Sequence, residues 1–127
     1  MTEIQKEMMT LQEKEGALIV LYKPGIRLDL DMAKQLVANR LDYQKGKNQP
    51  VVIHMNGIKA TSKEARLYMG KEGVQGITMG AFIVRNSIEQ VILNFFLSIE
   101  RPPIPTKAFT NEEDALVWIK EMHNKTS

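Results

Sequence analysis

A chain of 127 residues with 43% hydrophobic and 25% charged side chains is long enough to bury one core and too apolar to stay disordered. It contains no cysteine, which excludes disulfide frameworks, thiolate zinc sites, iron–sulfur clusters and cysteine nucleophiles. The net charge of +2 arises from basic residues interleaved with acids, so no basic stripe for nucleic acid forms, and the densest basic stretch, Arg40 to Lys47, reads as the solvated end of a helix. No apolar run reaches membrane-spanning length, and Met1–Glu7 lacks the apolar core of a secretory signal. The expectation is a cytoplasmic protein folding as one domain over residues 1–127.

In chain order, Met9 and Leu11 alternate with polar residues as an edge strand does, and Glu15-Gly16 turns the chain into Ala17–Tyr22, a continuous apolar run suited to a strand buried on both faces. From Asp31 the spacing becomes helical, with Met32, Ala33, Leu36, Val37 and Leu41 on one side and Gly46 as the stop. Pro50 opens Val51–Met55, a central strand, and Asn56-Gly57 signals a turn. Thr61-Ser62-Lys63-Glu64 fits a capping box before a short helix carrying Ala65, Tyr68 and Met69. Gly70, Gly73 and Gly76 then form a loop; they precede a strand instead of following one, so they match no phosphate-binding pattern.

Ile77–Val84 reads as the next strand. Asn86-Ser87-Ile88-Glu89 starts the strongest helix, with Ile88, Val91, Ile92, Phe95, Phe96 and Ile99 as its expected core stripe and Leu93 and Leu97 outside it. Pro102, Pro103 and Pro105 make a stiff connector to a last strand at Thr106–Phe109. Thr110-Asn111-Glu112-Glu113 offers a second capping box for a terminal helix that buries Ala115, Trp118, Ile119 and Met122 and ends near His123, with a frayed polar tail. The order ββαβαβαβα predicts an α/β fold with a mixed, mostly parallel sheet of about five strands and four helices.

That order, with Val51–Ile58 leading to a Ser/Thr-capped helix and with the closing Phe109-Thr110-Asn111-Glu112-Glu113-Asp114-Ala115-Leu116-Val117-Trp118-Ile119, resembles the anti-sigma-factor-antagonist (STAS, SpoIIAA-like, SEC14-type) domain of bacteria. The resemblance covers most of the chain and implies a small sheet wrapped by helices. It also implies a docking module, switched in better-known members by phosphorylation of a serine at the start of the helix after the central strand. Here the matching stretch is Ala60-Thr61-Ser62-Lys63-Glu64, which places Ser62 or Thr61 correctly but lacks the flanking Asp and Gly of the motif.

Ligands of open α/β sheets bind beyond the carboxyl ends of the strands, where His54, Asn56, Thr61 and Ser62 are expected beside Arg85, Asn86 and Ser87. Two helix starts with Arg85 as counter-charge suit a phosphate or carboxylate, although capping alone requires the same residues. His54 and Ser62 supply the types for a base and a nucleophile, with no Gly-x-Ser-x-Gly elbow and no third residue evident to orient the imidazole. His54 and His123 are the only histidines and stand far apart, so neither a metal site nor a cofactor is expected. The methionines, Met55, Met69 and Met79 among them, read as core gap-fillers.

Leu93 and Leu97, one turn apart, are expected to face water in a bare monomer and so to mark a dimer interface, a partner groove or a lipid pocket. The sequence therefore favours a non-enzymatic regulatory or protein-interaction domain that docks a protein partner or forms a homodimer. The alternatives are a binder of a small apolar or lipid-like ligand, as the SEC14 likeness implies, and a hydrolase using His54 and Ser62.

Overall fold

A computed structural model describes residues 8–99 and 103–126, with the side chains of Phe95, Phe96, Ser98, Ile99 and Thr126 outside the description. The expectations for Met1–Glu7, for Pro102 and for the burial of Phe95, Phe96 and Ile99 thus lie outside the described residues.

Strands β1 (Met9–Lys14) and β2 (Ala17–Tyr22) form an antiparallel hairpin. Its turn residues, Glu15 and Gly16, both take positive φ (53° and 85°), the geometry that matches the twist of paired strands. β3 (Ile26–Leu28) leads to helix α1 (Leu30–Gln44), capped by the Asp29 carboxylate accepting from the Met32 amide at 2.8 Å. β4 (Gln49–His54) ends in a single 3₁₀ turn at Met55–Gly57, and β5 (Ile58–Thr61) precedes helix α2 (Lys63–Lys71). β6 (Ile77–Ile83), helix α3 (Ser87–Ile99), β7 (Thr106–Phe109) and helix α4 (Glu112–Thr126) complete the chain.

The main sheet has five strands in the order β1-β2-β4-β6-β7, parallel throughout except for β1 at the edge. Alternation along each strand divides the core. Leu18, Val20, Val51 and Ile53 meet α1, α2 and α3 on one face, while Ala17, Ile19, Val52, Met79, Ala81 and Ile83 meet α4 on the other. Pro50 has no N–H to give the ladder, and the β4–β6 register shifts beside it.

Several boundaries differ from expectation. A second sheet, β3 paired parallel to β5, occupies stretches whose shortness and flanking turn residues hid them. Gly57 is obligatory beside it, because a Cβ there would collide with the Tyr22 carbonyl. The cap of α2 is Ser62, not Thr61, and its third helical residue is Ala65, so no capping box with Glu64 forms. The cap of α4 is Asn111, which exchanges bonds with Asp114 at 2.8 and 3.0 Å. Helix α4 also continues to Thr126, with His123 and Lys125 placed to meet the negative end of its dipole.

Helix α3 is turned about a quarter revolution from its expected orientation. Leu93 is buried at 1% exposure, and Leu97 is partly buried against the core. Ile88 and Val91, expected inside, are 72% and 51% exposed. The inward side carries Glu89, whose carboxylate closes on the helix start, and Leu93 one turn further on.

Candidate functional site

The residues expected to gather at the carboxyl end of the sheet separate into three groups. His54, two residues after Val52 in β4, lies on the α4 face, where its Nε2 is 2.9 Å from Glu112 Oε1. Glu112 also accepts from Lys14 Nζ at 3.2 Å. The hydrogen bond to His54 is the main cause that holds the Glu112 carboxyl below its ordinary range. Glu112 is thus the orienting partner for His54 that the sequence did not reveal.

Thr61 and Ser62 belong to the opposite layer. Ser62 Oγ accepts from the Ala65 amide at 3.1 Å, and the Ser62 amide donates to the Leu28 carbonyl at 3.1 Å. Thr61 Oγ1 donates to the Ser62 carbonyl at 3.4 Å. Since α2 packs on the face away from α4, the sheet stands between Ser62 and the His54 imidazole. A base and a nucleophile on opposite faces do not make a hydrolytic pair. Asn56 is exposed in the 3₁₀ turn.

At the third group the chain supplies its own anion. Glu89 Oε1 accepts from the Arg85 amide at 3.0 Å and Oε2 from Asn86 Nδ2 at 3.1 Å, while Asn86 Oδ1 accepts from the Glu89 amide at 2.9 Å. Arg85 Nη2 lies 3.8 Å from the same carboxylate. This capping box occupies the place that an external phosphate or carboxylate would take beside Arg85, Asn86 and Ser87.

The inner side of the α1–α3 layer holds what the sequence did not signal. Arg40, read from sequence as part of a solvated basic stretch, is 5% exposed. It falls on the stripe of Ala33, Leu36 and Val37, which was the available clue. Its guanidinium donates to the carbonyls of Gly73 at 2.8 Å and Gln75 at 3.0 Å and to Gln44 Oε1. Gln44 Nε2 in turn donates to the Gly76 carbonyl at 2.9 Å. Among the described residues every acceptor of Arg40 is neutral and no carboxylate pairs with it. Burial lowers the Arg40 pKa and pushes the Tyr22 phenol up to about 12.

Next to this network lies an apolar cleft of about 60 Å³, walled by Tyr22, Ile53, Met69, Phe82 and Leu97 and floored by Gly80 of the interior strand β6. A larger open groove of about 750 Å³ lies at the other end of the strands, where Lys47 and Lys120 are paired with Glu13 and Glu15. Among the described residues, no group of three acidic or histidine side chains is placed to hold a metal ion, and no helix is long and apolar enough to cross a membrane.

A five-stranded, mostly parallel sheet with helices on both faces, each of its four helix starts α1 to α4 closed by a nearby side chain, defines a protein of SpoIIAA-like fold. It is similar to the crystal structure of an uncharacterised DUF3478-family protein from Shewanella loihica PV-4 that has this fold, with a TM-score of 0.59, 16% identity, and coverage of 87% of this chain and 91% of that one. The chain belongs to the DUF7793 family, a domain of unknown function whose model matches residues 9–123. A protein of unknown function from Arthrobacter sp. FB24 is 23% identical over 90% of this chain and 92% of that one, at a TM-score of 0.32 too low to inform the fold. No curated protein matches the sequence.

Proposed function

We propose that this protein is a non-enzymatic interaction module that pairs with a second copy of itself through the outer face of α3. The observation that carries the reading is the absence of charge on that face. From Asn86 to Ile99 the only charged residue is Glu89, which is buried in the cap, in a chain where charged residues make up 25%. Ile88 and Val91 stand exposed beside Gln90 and Asn94, which bond to each other at 3.0 Å. A two-fold interface sets a patch against its own copy, so an apolar patch without charge meets no like-charge repulsion there.

Light scattering coupled to size-exclusion chromatography tests this. The native chain should elute as a dimer, and Ile88→Asp with Val91→Asp should give a folded monomer. A native chain that stays monomeric over the accessible concentration range removes the reading.

A second reading, a binder of a small apolar molecule, draws on Gly80. A Cβ built there meets nothing nearer than Phe82 Cε2 at 3.7 Å, and the residue is not among those with positive φ. Neither crowding nor backbone conformation requires glycine, which in a strand interior costs about 0.5–1 kcal/mol relative to alanine. What its missing side chain provides is the floor of the cleft.

A further inference from the structure

Resting on the reading of the cleft as a ligand site, we propose that its ligand is a short aliphatic monocarboxylate, its chain over Gly80 and its carboxylate drawn to the buried guanidinium of Arg40. Three observations converge. A smaller cavity of about 20 Å³ shares Tyr22, Ile53, Met69, Gly73 and Ile77 with the cleft and is lined by Arg40 as well. Arg40 is a buried cation whose contacts among the described residues are all neutral, so that there its positive charge is solvated by dipoles and paired with no carboxylate. Buried charges are ordinarily paired, and a guanidinium is shaped to receive a carboxylate.

The third observation is that Tyr22 lines both cavities and keeps its phenolic proton at neutral pH, so it remains a donor for an anion and not a competitor of it. The cleft's walls are otherwise almost entirely apolar, which suits an alkyl chain and leaves a polar body without partners. The small volume sets the length: the chain must be short, because about 60 Å³ holds no long acyl tail. Gly73 ties the two ends together, since its carbonyl accepts from Arg40 while the residue lines both cavities.

The experiment is a titration of the full chain with hexanoate and, separately, with hexan-1-ol, followed by amide shifts in ¹H–¹⁵N correlation spectra. Hexanoate should bind about tenfold more tightly than the alcohol, the factor that one charge-assisted contact supplies. The shifts should centre on Gly73, Gly76 and Gly80. Arg40→Met should abolish the preference for hexanoate over the alcohol, while Arg40→Lys, which keeps the charge, should retain it. Gly80→Val, which fills the floor, should weaken both probes.

Hexanol binding as tightly as hexanoate would overturn the role of Arg40 and leave the cleft reading standing. Neither probe moving the three glycine amides would overturn both.

Discussion

On the α4 side of the sheet, apolar residues other than the half-exposed Val117 are inside and charges are at the rim. Ala115, Leu116 and Ile119 lie on Ala17, Ile19, Val52 and Ala81, Phe109 and Trp118 pack with ring centres 5.5 Å apart, and Glu112 and Lys120 bond to His54, Lys14 and Glu15 around them. On the α1–α3 side the order is partly reversed. Arg40, Gln44 and Gln49 are buried, Asn39 is buried with no partner for its amide among the described residues, and Ile88 and Val91 face outward. A layer that only had to cover the sheet would resemble the α4 side. The buried polar residues gather on this face together with the two most exposed apolar ones, and both functional readings draw on them.

The largest test of this contrast is on α3 itself. Leu93→Ala empties a fully buried position and should cost about 3 kcal/mol in chemical denaturation, whereas Val91→Ala, on the exposed side, should change monomer stability by less than about 0.5 kcal/mol. Equal losses at the two positions would mean that the helix is not oriented as described, and the self-pairing surface would have to be drawn again.

The rotation of α3 also shows where sequence reading succeeds and where it stops. The hairpin at Glu15-Gly16, the buried runs Ala17–Tyr22 and Val51–His54, and the closing strand and helix were legible because each is written in a local period and bounded by turn or cap residues. In α3 apolar residues occur on nearly every side, so periodicity could not choose which side is inward. Nor does the period show that the buried side carries an acid, Glu89, closing onto Arg85 and Asn86. Arg40 was misplaced for a related reason: neighbouring Asp42, Lys45 and Lys47 made it look like one charge among many, while its own position on the helix stripe pointed inward. The contact of Glu112 with His54 joins residues 58 apart in the chain, and the cleft needs five separated segments, so neither has a local signature.

An intermediate effect is expected at Arg40. Arg40→Met preserves much of the volume but leaves the Gly73 and Gln75 carbonyls and the Gln44 amide oxygen with a donor missing. Relief of the guanidinium's desolvation offsets part of that, so the net loss should be about 1–2 kcal/mol by urea denaturation. The loss should be accompanied by faster amide exchange in residues 73–76. A variant more stable than the native chain, with unchanged exchange, would show that Arg40 does not hold this loop to α1.

The smallest effect belongs to the α4 side, where Glu112→Gln tests the rim. The Glu112 carboxyl is held below its ordinary range, chiefly by its hydrogen bond to His54 and secondarily by Lys14. A group whose value is depressed on folding contributes stability that is complete above its unfolded value of about 4.3 and is lost as pH falls through the lower folded value. Glu112→Gln should therefore cost about 1 kcal/mol at neutral pH, and the gap to the native chain should close in the acid range below the unfolded value. His54→Ala should remove most of the same increment, and the double variant should cost little more than either single one, because both break one contact. Additive losses, or a gap that persists in strong acid, would mean that Glu112 stabilises α4 only as an acid at a helix start, and that the His54 imidazole does not fasten the helix to the sheet.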